Sequence, residues 1–483
     1  MGWRNSLYYF MIICLIFVSG CDSQQIPLPE TVPHPTLKLP THTAQVRTRQ
    51  PASAAFPTST PEASDGFIIK IDPTQTRQTL RDVGGGNYVH RFGATRTSLE
   101  PVSLMNLELL QPDVIRTRID LDVWEPLPNI QGSQRFHNEK YVKTTFEFIK
   151  EIKARNPNTI LIASIWTVPD WMVVNPAEER KRVLNPNRYP DVVESIAQWL
   201  LRARSDYGVN IDYVSFNEAN IGINVLLTSE EQIQLIRLAG KRFEELGLST
   251  RWLLGDTSGA SHSLSYSMPI YADEKIRPYL GPLSFHSWDV IDRGSQMLKE
   301  IGRFADQHHL EVWCTEGGWN ALEYNRPEDF RTWNHAVKIA EVYTLVLRDS
   351  HATSLLYWQM MGDDYIVNDG KTPFPALIYM GELKNTFPAG SQIVETPDDE
   401  NQTMTVLSLA ARTPSGGFSV ELVNQVKESQ TVTLAGLPDG TYSRVRLADT
   451  NPLRTELDPI VVRNGTANLE LDGLSMTFLK RKP

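Results

Sequence analysis

The chain has 483 residues, 41% hydrophobic and 22% charged, which gives room for two or three domains and excludes a mostly disordered protein. Lysine and arginine number 47 against 57 aspartates and glutamates, a net charge of −10, and without a basic run nucleic acid is not an expected partner. The three cysteines stand at 14, 21 and 314 and the ten histidines show no HExxH spacing, so neither a disulfide framework, a metal centre nor a cofactor is expected.

In chain order, Arg4 comes first, followed by an apolar run over residues 7–18. Twelve residues are too few to cross a bilayer as a stable helix and suit a secretory signal, 1–20. The run ends in Val18-Ser19-Gly20-Cys21. This segment resembles the bacterial lipoprotein signal, which implies a lipid on Cys21 and anchorage to the outer face of a bacterial membrane, in the cell envelope. Residues 22–65 hold eight of the 31 prolines, seven threonines and no glycine. Together with Cys21 they read as an extended tether, 21–65, that cannot bury a core. Asn401-Gln402-Thr403 and Asn464-Gly465-Thr466 match the glycosylation pattern, which carries no weight beside a bacterial signal.

From residue 66 to 388 short apolar runs alternate with helical patterns. The spacing predicts strands near 79–84, 112–118, 159–165, 211–217, 252–256, 281–286, 311–316 and 353–358. Amphipathic stretches fall between them at 141–155, 192–207, 229–246 and 333–349; in the last, Ala336, Ile339, Ala340, Tyr343, Val346 and Leu347 recur with helical spacing. This is the pattern of a (β/α)₈ barrel, an α/β fold. A doubly wound sheet would carry a Gly-rich phosphate loop after its first strand, and Val83-Gly84-Gly85-Gly86-Asn87 is not GxGxxG.

The tail, 389–483, reads as an all-β sandwich. Short strands are predicted at 403–410, 417–423, 431–435, 441–447, 460–462 and 474–479, separated by turns such as Pro438-Asp439-Gly440 and Asp472-Gly473. The apolar strand at 67–71 precedes the barrel and is a candidate partner of the sandwich.

Barrel chemistry sits at the C-terminal ends of the strands. The second ends in Arg116-Thr117-Arg118-Ile119-Asp120, the third in Trp166-Thr167-Val168-Pro169-Asp170-Trp171, and the fourth in Phe216-Asn217-Glu218. The sixth gives His286-Ser287-Trp288-Asp289, the seventh Thr315-Glu316-Gly317-Gly318-Trp319, and the eighth Trp358-Gln359. Two carboxylates on the fourth and seventh strands suit glycoside hydrolysis, which needs one acid to protonate the leaving oxygen and a second carboxylate at the anomeric carbon. Six of the eleven tryptophans (124, 166, 171, 288, 319, 358) lie at strand ends or just beyond, as platforms for the C–H faces of sugars. Arg116, Trp166, Asn217, His286, Trp288, Trp319 and Trp358 are therefore candidate substrate contacts. Asn138-Glu139 has no strand before it and is set aside. Arg118 pairs with a buried acid, Asp120 or Asp122, or meets substrate. Asp363-Asp364 reads as a solvated loop. Cys314, placed on the same strand face as Glu316, reads as a packed apolar residue.

On the motifs Phe216-Asn217-Glu218, Thr315-Glu316 and Trp166…Pro169…Trp171, the barrel resembles the clan A glycoside hydrolases, most closely family 30, the glucosylceramidase and xylanase-like group. The resemblance covers everything from residue 66 onward. It implies Glu218 as acid/base, Glu316 as nucleophile, Arg116 orienting the nucleophile, and His286 or Trp288 bordering the subsite. Two positions depart from the family pattern: Ala219 stands where proline is usual, and the opening glycine motif is Asp82-Val83-Gly84-Gly85-Gly86-Asn87. The expected protein is a retaining β-glycosidase acting by double displacement on a β-linked oligo- or polysaccharide. The alternative is a surface glycan-binding lipoprotein without chemistry, which loss of either glutamate would favour. A barrel lyase or aldolase would want a lysine at a strand end, and these ends carry none.

Overall fold

The computed structural model describes residues 67–89, 101–128, 136, 140–361, 366–397 and 405–483. The signal, Cys21, the tether, Asn138-Glu139, Asp363-Asp364 and Asn401-Gln402-Thr403 lie outside the described residues. Among those described, no helix is long and apolar enough to cross a membrane.

Two strands, β1 (Phe67–Lys70) and β2 (Asp72–Thr79), precede the barrel. The barrel itself consists of β3 (Asp82–Asn87), β4 (Val114–Asp120), β5 (Ile160–Thr167), β6 (Tyr213–Phe216), β7 (Arg251–Thr257), β8 (Leu280–His286), β9 (Val312–Gly317) and β10 (Ala352–Tyr357). Each is parallel to its neighbours in chain order, and β10 closes on β3. Helices alternate with them: α1 (Pro101–Leu110), α2 (Lys140–Arg155), α3 (Tyr189–Tyr207), α4 (Ser229–Glu245), α5 (Ala260–Ala272), α6 (Gln296–His308), α7 (Trp333–Asp349) and α8 (Pro375–Thr386). The strands are buried on both faces, which is why they read as apolar runs without alternation. Helix starts follow local chemistry. Thr228 and Glu231 close a capping box on α4, and Gly208 takes a left-handed φ of 70° to end α3.

The glycine motif is the first barrel strand itself, three residues later than its spacing predicts. A Cβ on Gly85 would stand 2.8 Å from the Leu355 carbonyl oxygen, and one on Gly86 would stand 2.3 Å from Met360 Cγ. The glycines allow close packing. Val114, Ile162, Leu253, Trp313 and Leu356 make a separate apolar cluster that fills the barrel below the site.

The remaining strands are β11 (Gln392–Glu395), β12 (Val406–Arg412), β13 (Phe418–Asn424), β14 (Gln430–Ala435), β15 (Gly440–Leu447), β16 (Arg454–Val462), β17 (Thr466–Leu471) and β18 (Ser475–Arg481). They form a sandwich of a three-stranded sheet, β1-β14-β17, and a seven-stranded sheet, β16-β15-β18-β13-β12-β11-β2. Ile69, Ile71, Val420, Leu422, Val432 and Leu434 pack between the sheets. The opposite face of the larger sheet, with Leu409, Val423 and Phe478, joins the same core as the barrel helices. β2, β11 and β17 are not among the strands predicted from sequence. β2 reads DPTQTRQT and is mostly exposed, so it lacks the apolar signal.

Candidate active site

The strand ends bring Arg116, Asn217, Glu218, His286 and Glu316 together, with Asn87, Ser164, Ser215, Asp256 and Thr315 beneath them. Arg116 is fully buried on β4. Its Nε donates to Ser164 Oγ at 2.8 Å; Nη1 donates to Asn87 Oδ1 at 2.9 Å and Glu316 Oε1 at 2.6 Å; Nη2 donates to Asn217 Oδ1 at 2.5 Å and Asp256 Oδ2 at 2.9 Å. All five guanidinium N–H groups thus have acceptors. Burial opposes the Arg116 charge, but Asp256 and Glu316 outweigh it and raise its pKa.

Glu316 ends β9 facing the mouth. Its Oε2 accepts from Trp288 Nε1 at 3.2 Å and lies 3.3 Å from His286 Nδ1. Burial lifts its carboxyl above the ordinary range, with the His286 and Arg116 charges pulling the other way. Glu218 follows β6 in a left-handed conformation, φ 48°, a strained backbone of the kind found at functional sites. Its Oε1 lies 3.3 Å from His286 Nδ1, and its Oε2 accepts from Asn217 Nδ2 at 3.4 Å.

His286 sits between the two glutamates, its Nε2 3.3 Å from Asp256 Oδ1. Burial works against a charged ring, but Glu316, Asp256 and Glu218 overcome it and push His286 up to about 10. One oxygen or nitrogen each from Glu218, His286 and Glu316 lie within 4.8 Å of one another. That spacing follows from the ion-pair contacts of His286 with both glutamates.

Asp256 is the residue that sequence reasoning missed. At the end of the fifth barrel strand, β7, it accepts from Ser215 Oγ at 2.5 Å, Thr315 Oγ1 at 2.6 Å and Arg116 at 2.9 Å. Burial alone would raise its pKa, but Arg116, His286 and Ser215 hold it well below the usual carboxylate range. The signal was present: an acid in Gly255-Asp256-Thr257 where the chain leaves a barrel strand.

The tryptophans divide. The Trp166 and Trp358 rings stack at 5.3 Å, and the Arg118 guanidinium stands 4.9 Å from Trp166. Trp358 is joined to Gln359 by a cis peptide bond. Trp319 packs under the Lys338 ammonium, 4.0 Å from the ring centre, and no site hydrogen bond among the described residues runs to it. Trp124 is buried, donating to Ser195 O, and Trp171 donates to Glu125 O. These two serve packing rather than a cleft. Arg118 pairs with Asp120 at 2.5 Å. Cys314 is buried in the core shared with the helices. It does not share a face with Glu316, because the register of β9 shifts between Cys314 and Gly317 and turns Glu316 to the mouth.

A (β/α)₈ barrel joined to a β-sandwich is the fold of family 30 glycoside hydrolases, and the chain is an O-glycosyl hydrolase. Residues 132–368 match the family model described as Glycosyl hydrolase family 59. A search of curated proteins finds no match. Among solved structures, a glycoside hydrolase family 30 subfamily 8 xylanase from Clostridium acetobutylicum is 17% identical, with a TM-score of 0.67 over 86% of this chain and 100% of that one. The catalytic domain of a family 30 xylanase C from Talaromyces cellulolyticus is 16% identical, with a TM-score of 0.66 over 86% and 100%. An endo-β-1,6-glucanase is 18% identical, with a TM-score of 0.57 over 88% and 96%. The two xylanases belong to family 30, the family to which the sequence motifs pointed.

Proposed function

We propose that the protein is a retaining β-glycoside hydrolase that cleaves a β-linked oligo- or polysaccharide by double displacement. Glu316 is the nucleophile and Glu218 the acid/base. The observation that carries this reading is the approach of the two carboxyls, with oxygens within 4.8 Å of one another. Retaining pairs stand about 5–5.5 Å apart, while inverting pairs leave about 6.5–9.5 Å for a water. Charge supports the division of roles. Arg116 and His286 are two cations, and they balance Asp256 and Glu316 when Glu218 carries a proton. Arg116 and Trp288 both donate to Glu316 and, with His286, work against the burial that lifts its carboxyl. Glu218 then protonates the leaving oxygen and later takes the proton of the attacking water. Similarity to xylanases and a β-1,6-glucanase favours a polysaccharide backbone as substrate. The Trp166–Trp358 stack supplies a flat apolar wall for it.

A 2-deoxy-2-fluoro glycoside with an activated leaving group tests the assignment by peptide mapping after inactivation. The label is expected on Glu316. A label on Glu218, or inverted product stereochemistry, would overturn the reading. We further propose lipid anchorage through Cys21. The intact chain should then partition with membranes of a bacterial host and Cys21→Ser should not; equal partitioning would count against the anchor.

A further inference from the structure

We propose that Asp256 is a positioning residue for the catalytic pair. It holds His286 as a doubly protonated ring whose Nδ1–H follows the negative charge from Glu316 to Glu218 and back during turnover. This rests on the reading of Glu218 and Glu316 given above.

Two equal distances motivate it. His286 Nδ1 lies 3.3 Å from Glu218 Oε1 and 3.3 Å from Glu316 Oε2. That nitrogen is hydrogen-bonded to Glu218 and stands at ion-pair distance from Glu316, so a small turn of one N–H serves either carboxyl. The opposite nitrogen faces Asp256 Oδ1 at 3.3 Å, so the ring is bracketed by acceptors at both ends. The titratable groups around it are Glu218 from β6, Asp256 from β7 and Glu316 from β9, with Arg116 from β4 bound to the last two. Asp256 is fully buried and held by three hydroxyls, those of Ser164, Ser215 and Thr315, besides its two cationic neighbours. Its left-handed φ of 58° is unusual outside glycine. The barrel thus places a fixed anion behind the histidine, where it acts only through other residues.

The chemistry explains why such a ring is useful. In the first step a Glu316 oxygen forms a bond to the anomeric carbon, the bond to the leaving oxygen breaks, and the Glu218 proton passes to that oxygen. Glu316 becomes a neutral ester and Glu218 a carboxylate. In the second step a water oxygen bonds to the anomeric carbon, the ester bond breaks, and a water proton returns to Glu218. The charge crosses the site twice. A donor serving one carboxylate alone would favour one step at the expense of the other. A shared donor, kept charged by Asp256, serves both without moving its own proton.

The test is ¹⁵N NMR of the full chain labelled at histidine, with His286 assigned by its loss in His286→Gln. In the free wild-type protein both ring nitrogens should carry protons at pH 7. On trapping with the 2-fluoro glycoside, the Nδ1–H signal should move as its partner changes while the Nε2–H signal stays. In Asp256→Asn the His286 midpoint should fall by about one pH unit or more, a tenfold loss of proton affinity. The kcat should drop about 10²-fold for activated and poor leaving groups alike, since both steps lose the donor. A neutral His286 in the wild type, an unmoved Nδ1–H on trapping, or a loss confined to one class of leaving group would overturn the proposal. Should Asp256→Asn not fold, the two wild-type measurements decide. Failure of the glycoside to label Glu316 would instead defeat the catalytic reading, which the substrate-free spectrum does not touch.

Discussion

Trp288 packs so closely on Gly318 that a Cβ built on the glycine would stand 2.2 Å from Trp288 Cζ3. The same indole donates to Glu316 Oε2, so the missing side chain at 318 is part of what aims Glu316. Gly318→Ala should push the ring aside and lose that bond. We expect kcat to fall about tenfold, the loss of roughly 1.4 kcal/mol of transition-state stabilisation. Thermal unfolding should change little. Steady-state kinetics with unaltered turnover would show that the indole has room to adjust.

Arg116→Lys tests whether charge alone suffices beneath the site. The guanidinium meets five acceptors, whereas an ammonium offers three donors from one point. At least two of Asn87, Ser164, Asn217, Asp256 and Glu316 would lose their bond in a fully buried position. The expected cost is about 3–5 kcal/mol of stability, with a fall in kcat of about 10²-fold or more. Denaturant titration and kinetics on the same preparation check both. A stable, active lysine variant would mean that the network is dispensable.

Azide distinguishes the two glutamates. With Glu218→Ala it should intercept the glycosyl-enzyme and yield the β-azide. With Glu316→Ala it should enter in place of the nucleophile and yield the α-azide. Glu218→Ala should retain activity on activated aryl glycosides, which need little protonation to depart. Proton NMR of the product anomers reads the result, and the reverse pair of anomers would exchange the roles.

A third glutamate gives a prediction in pH. Glu421 on β13 is fully buried where the sandwich meets α7, and Thr344 donates to its Oε2 at 3.2 Å. Burial pushes its carboxyl from 4.5 up to about 8, against hydrogen bonds from Tyr379 and Thr344. Between those two values the folded chain keeps a proton that the unfolded chain has lost. Stability therefore falls as pH rises through that window, and the Glu421 contribution levels off above it. Glu421→Gln should remove this slope. Its advantage over wild type should grow from pH 5 to 8 by a few kcal/mol, about 1.4 kcal/mol per pH unit at most. Parallel stability curves for the two proteins would contradict the assignment.

Much of the fold was legible because barrel strands buried on both faces announce themselves as apolar runs. The glutamates were legible because each follows such a run. Asp256 is visible as an acid at a strand end, but no local feature reveals its five side-chain partners, all distant in sequence. The orientation of Cys314 was misread for a different reason: period-two alternation fails where β9 shifts register. Position at a strand end also does not fix where an indole points. Trp124 lies near the mouth in sequence, yet its ring turns inward to stack on Phe136 at 5.1 Å. β2 escaped notice because a polar edge strand is defined by its partner, Gln392–Glu395, some three hundred residues away.

That distance orders events during synthesis. β1 and β2 leave the ribosome before any of the barrel, but β2 pairs with β11 and β1 with β14. Both must wait while the whole barrel is made. The sandwich can close only after β18, an interior strand of its larger sheet lying between β13 and β15, has emerged. A chain cut short at the end of the barrel would carry Phe67, Ile69 and Ile71 with no sheet to cover them. The sandwich thus acts as a completion check: β1 and β2 find their partner strands only after the barrel between them has been made.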